Sequence, residues 1–304
     1  MHWPKKLKRG DKVALIAPSS PVESHDLVES AKKYLEGLGF EVALGESCYA
    51  SYGYLSGTDE MRARDINWAF STPDINGIFC LRGGYGMQRI LNQIDFDIIA
   101  NNSKFFSGYS DITALHTAIN QQTGLITFHS PMPGTLKFAQ ADLFTKTTFQ
   151  DFIFGVDGSY IYKNPTGFDW CFLNQGEATG KLCGGNLSII TSSIGTPYEI
   201  DTKGKILFIE EVDEEPYKID RMLNQLHLAG KLKDCVGIVF GDFADCDTKE
   251  PAKSLTILEI INNLNLTIPI LYNFRCGHCY PTATLPMGAM VRLDSDKNSF
   301  EVIH

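Results

Sequence analysis

The chain has 304 residues, 43% hydrophobic and 21% charged, enough for a substantial core in one large domain or two ordinary ones. Its net charge of −9 opposes a nucleic-acid partner or an anionic membrane surface. The basic start, Lys5 to Arg9, precedes an apolar run, Val13–Ala17, too short for a signal-peptide core, and no run approaches a membrane span, so the expectation is a soluble cytoplasmic protein.

Lys12–Ala17 reads as a buried strand, ended by Pro18-Ser19-Ser20-Pro21. Leu27–Gly37 carries Val28, Ala31, Tyr34 and Leu35 at helical spacing, and Phe40–Leu44 is a second strand, so the chain opens like a parallel α/β sheet. Neither G-x-G-x-x-G nor G-x-x-x-x-G-K-[ST] occurs, which removes support for a dinucleotide or P-loop site. Asp59–Phe70 reads as a helix capped by Thr58, and Gly77–Leu81 as another buried strand. That strand runs into Arg82-Gly83-Gly84-Tyr85-Gly86, before a helix expected at Met87–Gln93. Glycines at a strand end mark either a loop whose N–H groups receive an anion or a tight turn with positive φ, and the sequence leaves both open.

Lys104–Ser107 is a strand end, Gly108-Tyr109-Ser110-Asp111 a tight turn, and Ile112 to Gln121 has Ile112, Leu115, Ala118 and Ile119 at helical spacing. A serine on a sharp strand-to-helix turn is the geometry of a nucleophile elbow, with the next N–H at a helix start. Ile112 stands where G-x-S-x-G has its second glycine, and Ser110 or Asp111 as a helix N-cap is the plainer reading. Leu125–Phe128 is the next strand, leading to a loop that begins at His129, a rival base or a structural hydrogen-bonder.

Tyr160–Gln175 is punctuated by Asn164, Pro165, Gly167 and Asn174 and reads as a linker, giving domains over residues 1–165 and 166–304. Gly184-Gly185-Asn186 reads as a glycine turn before a helix starting at Leu187. Lys205–Ile209 and Val236–Gly241 are buried strands, with helices over Ile219–Leu228 and Ile257–Leu264. Glu210 begins an acidic run to Glu215, usually a solvated face, yet its place at a strand end favours partial burial. A carboxylate there can hold an imidazole in one tautomer, and His278 lies in a glycine-flanked loop. Cys276-Gly277-His278-Cys279 has the spacing of a disulfide oxidoreductase, but the Tyr280-Pro281 that follows opposes the helix such a motif opens. The other six cysteines are scattered, and reduced thiols are the default.

Five motifs in this order, Arg82–Gly86, Gly108–Thr113, Gly184–Leu187, Phe208–Val212, and Gly277-His278 with Leu285-Pro286-Met287-Gly288, resemble the S66 serine peptidases, the LD-carboxypeptidases and microcin-immunity peptidases. The resemblance implies an N-terminal parallel-sheet α/β domain, Rossmann-like and similar to class I amidotransferases, joined to a smaller C-terminal α/β domain. It implies a Ser110–His278–Glu210 triad, the serine from the first domain and the acid and base from the second. The oxyanion donors would be the N–H groups of Asp111 and Gly84. No metal and no cofactor is implied. The expected reaction is hydrolysis of the L,D amide bond before a terminal D-alanine in a cytoplasmic muropeptide, for peptidoglycan recycling. The alternatives are a microcin-type peptidyl or aminoacyl nucleotide as substrate and, from another class, disulfide exchange at Cys276 and Cys279. The expected partner is a small peptide substrate, in a homodimer, without nucleic acid or membrane.

Overall fold

A computed structural model describes residues 1–156, 158–248 and 250–303. It divides into two compact units, Met1–Val156 with Thr284–Gly288, and Asp157–Ala283 with Ala289–His304.

In the N-terminal unit, β1 (Lys12–Ile16), β2 (Glu41–Leu44), β3 (Ile75–Cys80), β4 (Phe105–Gly108) and β5 (Thr127–His129) form a parallel sheet in the order β2-β1-β3-β4-β5. Leu285–Met287 adds an antiparallel edge strand to β5. Strands buried on both faces are largely apolar: β1 carries Val13–Ile16, β3 Ile78–Cys80 and β4 Phe105 and Phe106, all buried. Phe79, Phe105 and Phe128 pack ring to ring across the sheet, with centroids 5.4 and 4.4 Å apart. Helix α1 (His25–Gly37) buries Val28, Ala31 and Leu35, and α2 (Asp59–Ser71) starts at Thr58, whose hydroxyl accepts from Met61 N at 3.3 Å, the cap its sequence predicts. β2 and β3 lie on opposite sides of β1, so the strand order reverses there, and open α/β sheets place their sites at the carboxyl ends of the strands beside such a reversal. Ser19 and Ser20 follow β1, and the Arg82–Gly86 loop follows β3, at those ends. The helix expected at Met87–Gln93 is two short 3-10 turns, Met87–Arg89 and Leu91–Gln93. Asp95 then caps α3 (Phe96–Asn101).

β4 passes through Tyr109 into a 3-10 turn, Ser110–Ile112, and on into α4 (Thr113–Thr123). The turn is held from behind by His116. Its Nε2 lies 2.8 Å from Gly108 O, and its Nδ1 2.8 Å from Thr127 Oγ1. A carbonyl can only accept, so Nε2 carries the hydrogen and Nδ1 accepts from the threonine, whose oxygen in turn accepts from Asn120 Nδ2 at 3.1 Å. His129 is buried in β5, edge-on to Tyr109, and is not part of the loop the sequence suggests.

In the C-terminal unit, β8 (Glu177–Asn186), β9 (Lys205–Val212), β10 (Gly237–Ala244) and β11 (Ile270–Tyr272) run parallel. Antiparallel strands extend both sides: β7 (Cys171–Asn174) beyond β11, and Met290–Asp294, Ser299–Ile303 and β6 (Tyr160–Ile161) beyond β8. Helices Leu187–Ser192, Pro216–Leu228 and Ile257–Asn263 cover Leu207, Ile209, Ile238 and Phe240. The Tyr160–Gln175 stretch therefore supplies β6 and β7 and is not a free linker; Asn164 also donates to Asn273 O at 2.8 Å. Gly184-Gly185-Asn186 is likewise no turn. It is the end of β8, in register with Phe208, Ile209 and Glu210. Gly184 has φ +119°, and a Cβ there would lie 1.9 Å from Phe208 O, so only glycine lets the two backbones pair.

Gly184→Ala is expected to lower the stability of the chain by more than about 2 kcal/mol, read from its urea midpoint. His116 supplies a pH signature. Burial lowers its pKa from 6.5 to about 3, so it stays neutral in the fold while the unfolded chain takes up a proton below 6.5. The unfolded state then binds more protons, and stability falls as pH drops from 6.5 towards 3. His116→Gln, which keeps a donor to Gly108 O, should flatten that part of the stability–pH curve relative to the parent, by up to a few kcal/mol at the acid end.

Candidate active site

The expected residues fall into two groups. Ser110, Asp111 and the glycine loop belong to the N-terminal unit, and Glu210 and His278 to the C-terminal one.

Ser110 adopts φ +65°, a left-handed conformation that disfavours any side chain and that functional turns retain. The capping alternative does not hold: neither the 3-10 turn nor α4 receives a side-chain cap bond, and Ile112 occupies the N-cap of α4. The conformation places the half-buried serine at the start of the turn, with the N–H of Asp111 in the first turn of the helical segment, where intrahelical acceptors are lacking. Gly83 packs against this apex. A Cβ at position 83 would meet Ser110 Cβ at 2.9 Å and Oγ at 3.2 Å. Gly84, at φ +103°, packs as tightly on Ser20, whose Oγ a Cβ would meet at 2.4 Å. The tight-turn reading of the glycine loop is realised in the positive φ of Gly84 and Gly86, and Gly83 adds a close backbone approach to the serine.

Sequence reasoning missed the residues that tie these loops together. The buried Asp111 carboxylate accepts from Ser19 Oγ at 2.6 Å and from Met87 N at 2.8 Å, both on Oδ2. Arg62, with no exposed surface, donates to Pro18 O at 2.6 Å and to Gly86 O at 2.9 Å, and pairs with Asp59. An arginine written into an amphipathic helix pattern passes as a solvated residue, so only its burial marks it.

In the C-terminal unit, His278 Nδ1 lies 2.6 Å from Glu210 Oε2. Glu210 sits in β9 with no exposed surface and the His278 side chain is 14% exposed. The carboxylate accepts, so Nδ1 carries the hydrogen and Nε2 is left as the basic nitrogen of the neutral ring. The histidine loop is fixed by its neighbours: Asp242 N donates to Cys276 O at 3.0 Å, and Gly277 N to Thr282 Oγ1 at 3.1 Å. A Cβ on Gly277 would strike Glu210 Oε2 at 2.6 Å, so glycine next to the histidine is what admits the carboxylate. Alternation along β9 turns Glu211 to the other face, where it accepts from Asn186 Nδ2, Ser188 N and Ser188 Oγ and anchors the helix that starts at Leu187. The sequence reads Asn186 as part of a glycine turn and Glu211 as part of an acidic run, without joining them; an Asn directly before a helix start is a capping signal, but its carboxylate partner lies in another strand.

Cys276 and Cys279 are free and buried. Burial raises the Cys276 thiol well above its usual range and the Cys279 thiol to about 12, opposite to what disulfide exchange requires. Cys276 Sγ donates to Ala283 O at 3.3 Å, a structural contact. Among the described residues no group of three or more His, Cys, Asp or Glu is arranged to hold a metal, and no helix is long and apolar enough to cross a membrane.

Comparison with known proteins bears on this geometry. Residues 13–130 match the LD-carboxypeptidase N-terminal domain and residues 179–293 the LD-carboxypeptidase C-terminal domain. A probable murein peptide carboxypeptidase of Bacillus subtilis (strain 168) is 42% identical over 297 residues, covering 97% of this chain and 92% of its own. Among solved structures, MccF in complex with glutamyl sulfamoyl guanosine superposes with a TM-score of 0.90 at 26% identity, covering 99% of this chain and 98% of its own. Muramoyltetrapeptide carboxypeptidase from Oxalobacter formigenes superposes with a TM-score of 0.82 at 28% identity, covering 96% of this chain and 97% of its own. The expected parallel-sheet α/β domain with a second α/β domain is the fold these proteins share. The chain belongs to the S66 family of LD-carboxypeptidases and is a serine-type carboxypeptidase.

Proposed function

We propose that this carboxypeptidase hydrolyses the L,D amide bond before a terminal D-alanine in cytoplasmic muropeptides, serving peptidoglycan recycling, by an acyl-enzyme mechanism. The observation that carries the mechanism is the Glu210–His278 bond at 2.6 Å, which leaves Nε2 as a base of fixed direction. Ser110, on its strained turn, is the nucleophile. His278 takes its proton as it attacks the carbonyl, the Asp111 and Gly84 N–H groups hold the oxyanion, and His278 protonates the leaving D-alanine. Water, activated by the same imidazole, then releases the acyl group. Glu210 stays ionised and stabilises the imidazolium. The substrate class is supported by the murein names of the relatives. A microcin-type substrate, an aminoacyl or peptidyl nucleotide, is the second reading, supported by the likeness to MccF bound to glutamyl sulfamoyl guanosine. The assembly proposed is a homodimer.

Ser110→Ala should lower D-alanine release from a murein tetrapeptide by about 10⁴-fold or more with an unchanged circular-dichroism spectrum; full activity would exclude the mechanism. Glu210→Gln, which favours the wrong imidazole tautomer, should cost about 10⁴-fold in kcat. Mass spectrometry of products from a tetrapeptide and an aminoacyl-sulphamoyl adenosine, offered side by side, separates the two substrate readings. For the cysteines, Cys276 in the native enzyme should resist iodoacetamide at neutral pH; a fast-reacting thiol there would revive disulfide exchange.

A further inference from the structure

Besides the His116 contact behind it, the strained serine turn is braced by loops: the three at the carboxyl ends of β1, β3 and β4 hold one another. Ser19 Oγ, from the loop after β1, and Met87 N, at the end of the glycine loop after β3, both donate to one oxygen of Asp111, which follows the nucleophile. Ser20 joins the first two loops again: its N–H donates to Gly83 O at 3.1 Å, and its Oγ accepts from Tyr85 N at 3.1 Å. Ser19 is itself held by Ser56, whose N–H donates to Ser19 O at 3.0 Å and whose hydroxyl lies between Ala17 O and Ser19 O. Ser19, Ser56 and Asp111 are buried, so no solvent competes for these bonds.

The Asp111 side chain and the Asp111 N–H belong to one residue. Holding the carboxylate oxygen between two donors restrains the side chain and, through it, the backbone that carries the N–H. The Met87 bond fixes, at the same time, the far end of the loop that holds Gly84. We infer that Ser19 and the Asp111 carboxylate are positioning residues for the oxyanion donors, aligning the Asp111 N–H with the Gly84 N–H before substrate arrives. The inference rests on Ser110 being the nucleophile. Its consequence is specific: the clamp touches no substrate, so its loss weakens transition-state stabilisation and leaves ground-state binding alone. A misplacement of about 1 Å is worth on the order of 10²-fold in rate, and loss of an oxyanion donor about 10²- to 10³-fold.

The test compares Ser19→Ala, Asp111→Asn, Asp111→Ala and the double variant Ser19→Ala/Asp111→Ala with the parent enzyme, full length, on whichever of the two substrates it hydrolyses. Expected for Ser19→Ala is a fall in kcat of about 10- to 100-fold with KM within about twofold of the parent. Affinity for a peptide boronic acid, which mimics the tetrahedral adduct, should fall by the same factor as kcat/KM. Asp111→Asn, which keeps an acceptor oxygen, should retain more activity than Asp111→Ala. The double variant should be no slower than Asp111→Ala, because the two groups act as one unit. Unchanged kcat in Ser19→Ala, a rise in KM alone, or additive losses in the double variant would each overturn the inference. Should Ser19→Ala fail to fold, the ratio of Asp111→Asn to Asp111→Ala decides it, an equal loss in both overturning it. Full activity of Ser110→Ala sinks the nucleophile assignment itself, a result distinct from any of these.

Discussion

One residue without glycine's freedom holds a left-handed backbone conformation at Ser110, and much of the N-terminal unit is arranged to keep it there. A non-glycine residue at φ +65° is disfavoured by roughly 1–2 kcal/mol, so neighbours must over-determine it. They do so from three directions. His116 and Ser130 N hold Gly108 O behind the turn, Gly83 fits against its side chain, and Asp111 is tied to the loops after β1 and β3. The first and third restraints use buried polar groups with stated partners, and the second is close packing that a Cβ at position 83 would break.

The C-terminal unit solves a different problem, that of burying a carboxylate beside an imidazole. Glu210 is inside β9 and wholly enclosed, an arrangement stable only with a donor in place. His278 is that donor, and the glycine at 277 is what allows the approach. The same economy appears at Gly184, where β8 and β9 pair with no room for a Cβ. Glycines in this family of motifs are thus sites of close backbone packing as much as turns. The cysteines that flank the histidine are core residues whose thiols stay protonated.

Much of this was legible in the chain itself. Continuous apolar runs such as Lys12–Ala17 and Lys205–Ile209 are strands because a strand buried on both faces must be apolar throughout. Helical spacing located α1, α2 and α4, and Thr58 its cap, because these are local rules. Two of the errors share an origin. Gly184-Gly185 looks like a turn, and Tyr160–Gln175 like a linker, because glycine, proline and asparagine are read as loop formers; here the sheet uses the first for close pairing and extends its edges with the second. The order of five motifs named the family and so the candidate serine, histidine and glutamate.

What the sequence determined by itself is therefore the set of elements, the family and the chemical types at the candidate site, all of which depend on neighbours within a few residues or on motif order. What only the tertiary structure decided is which distant polar groups meet in the dry interior: Ser19 with Asp111, Arg62 with Pro18 and Gly86, Asn186 with Glu211, Glu210 with His278. Periodicity tells which face of an element is buried. It carries no information on which buried donor will find which acceptor, because that depends on how strands order and register, and partners 24 to 92 residues apart in the chain leave no local trace.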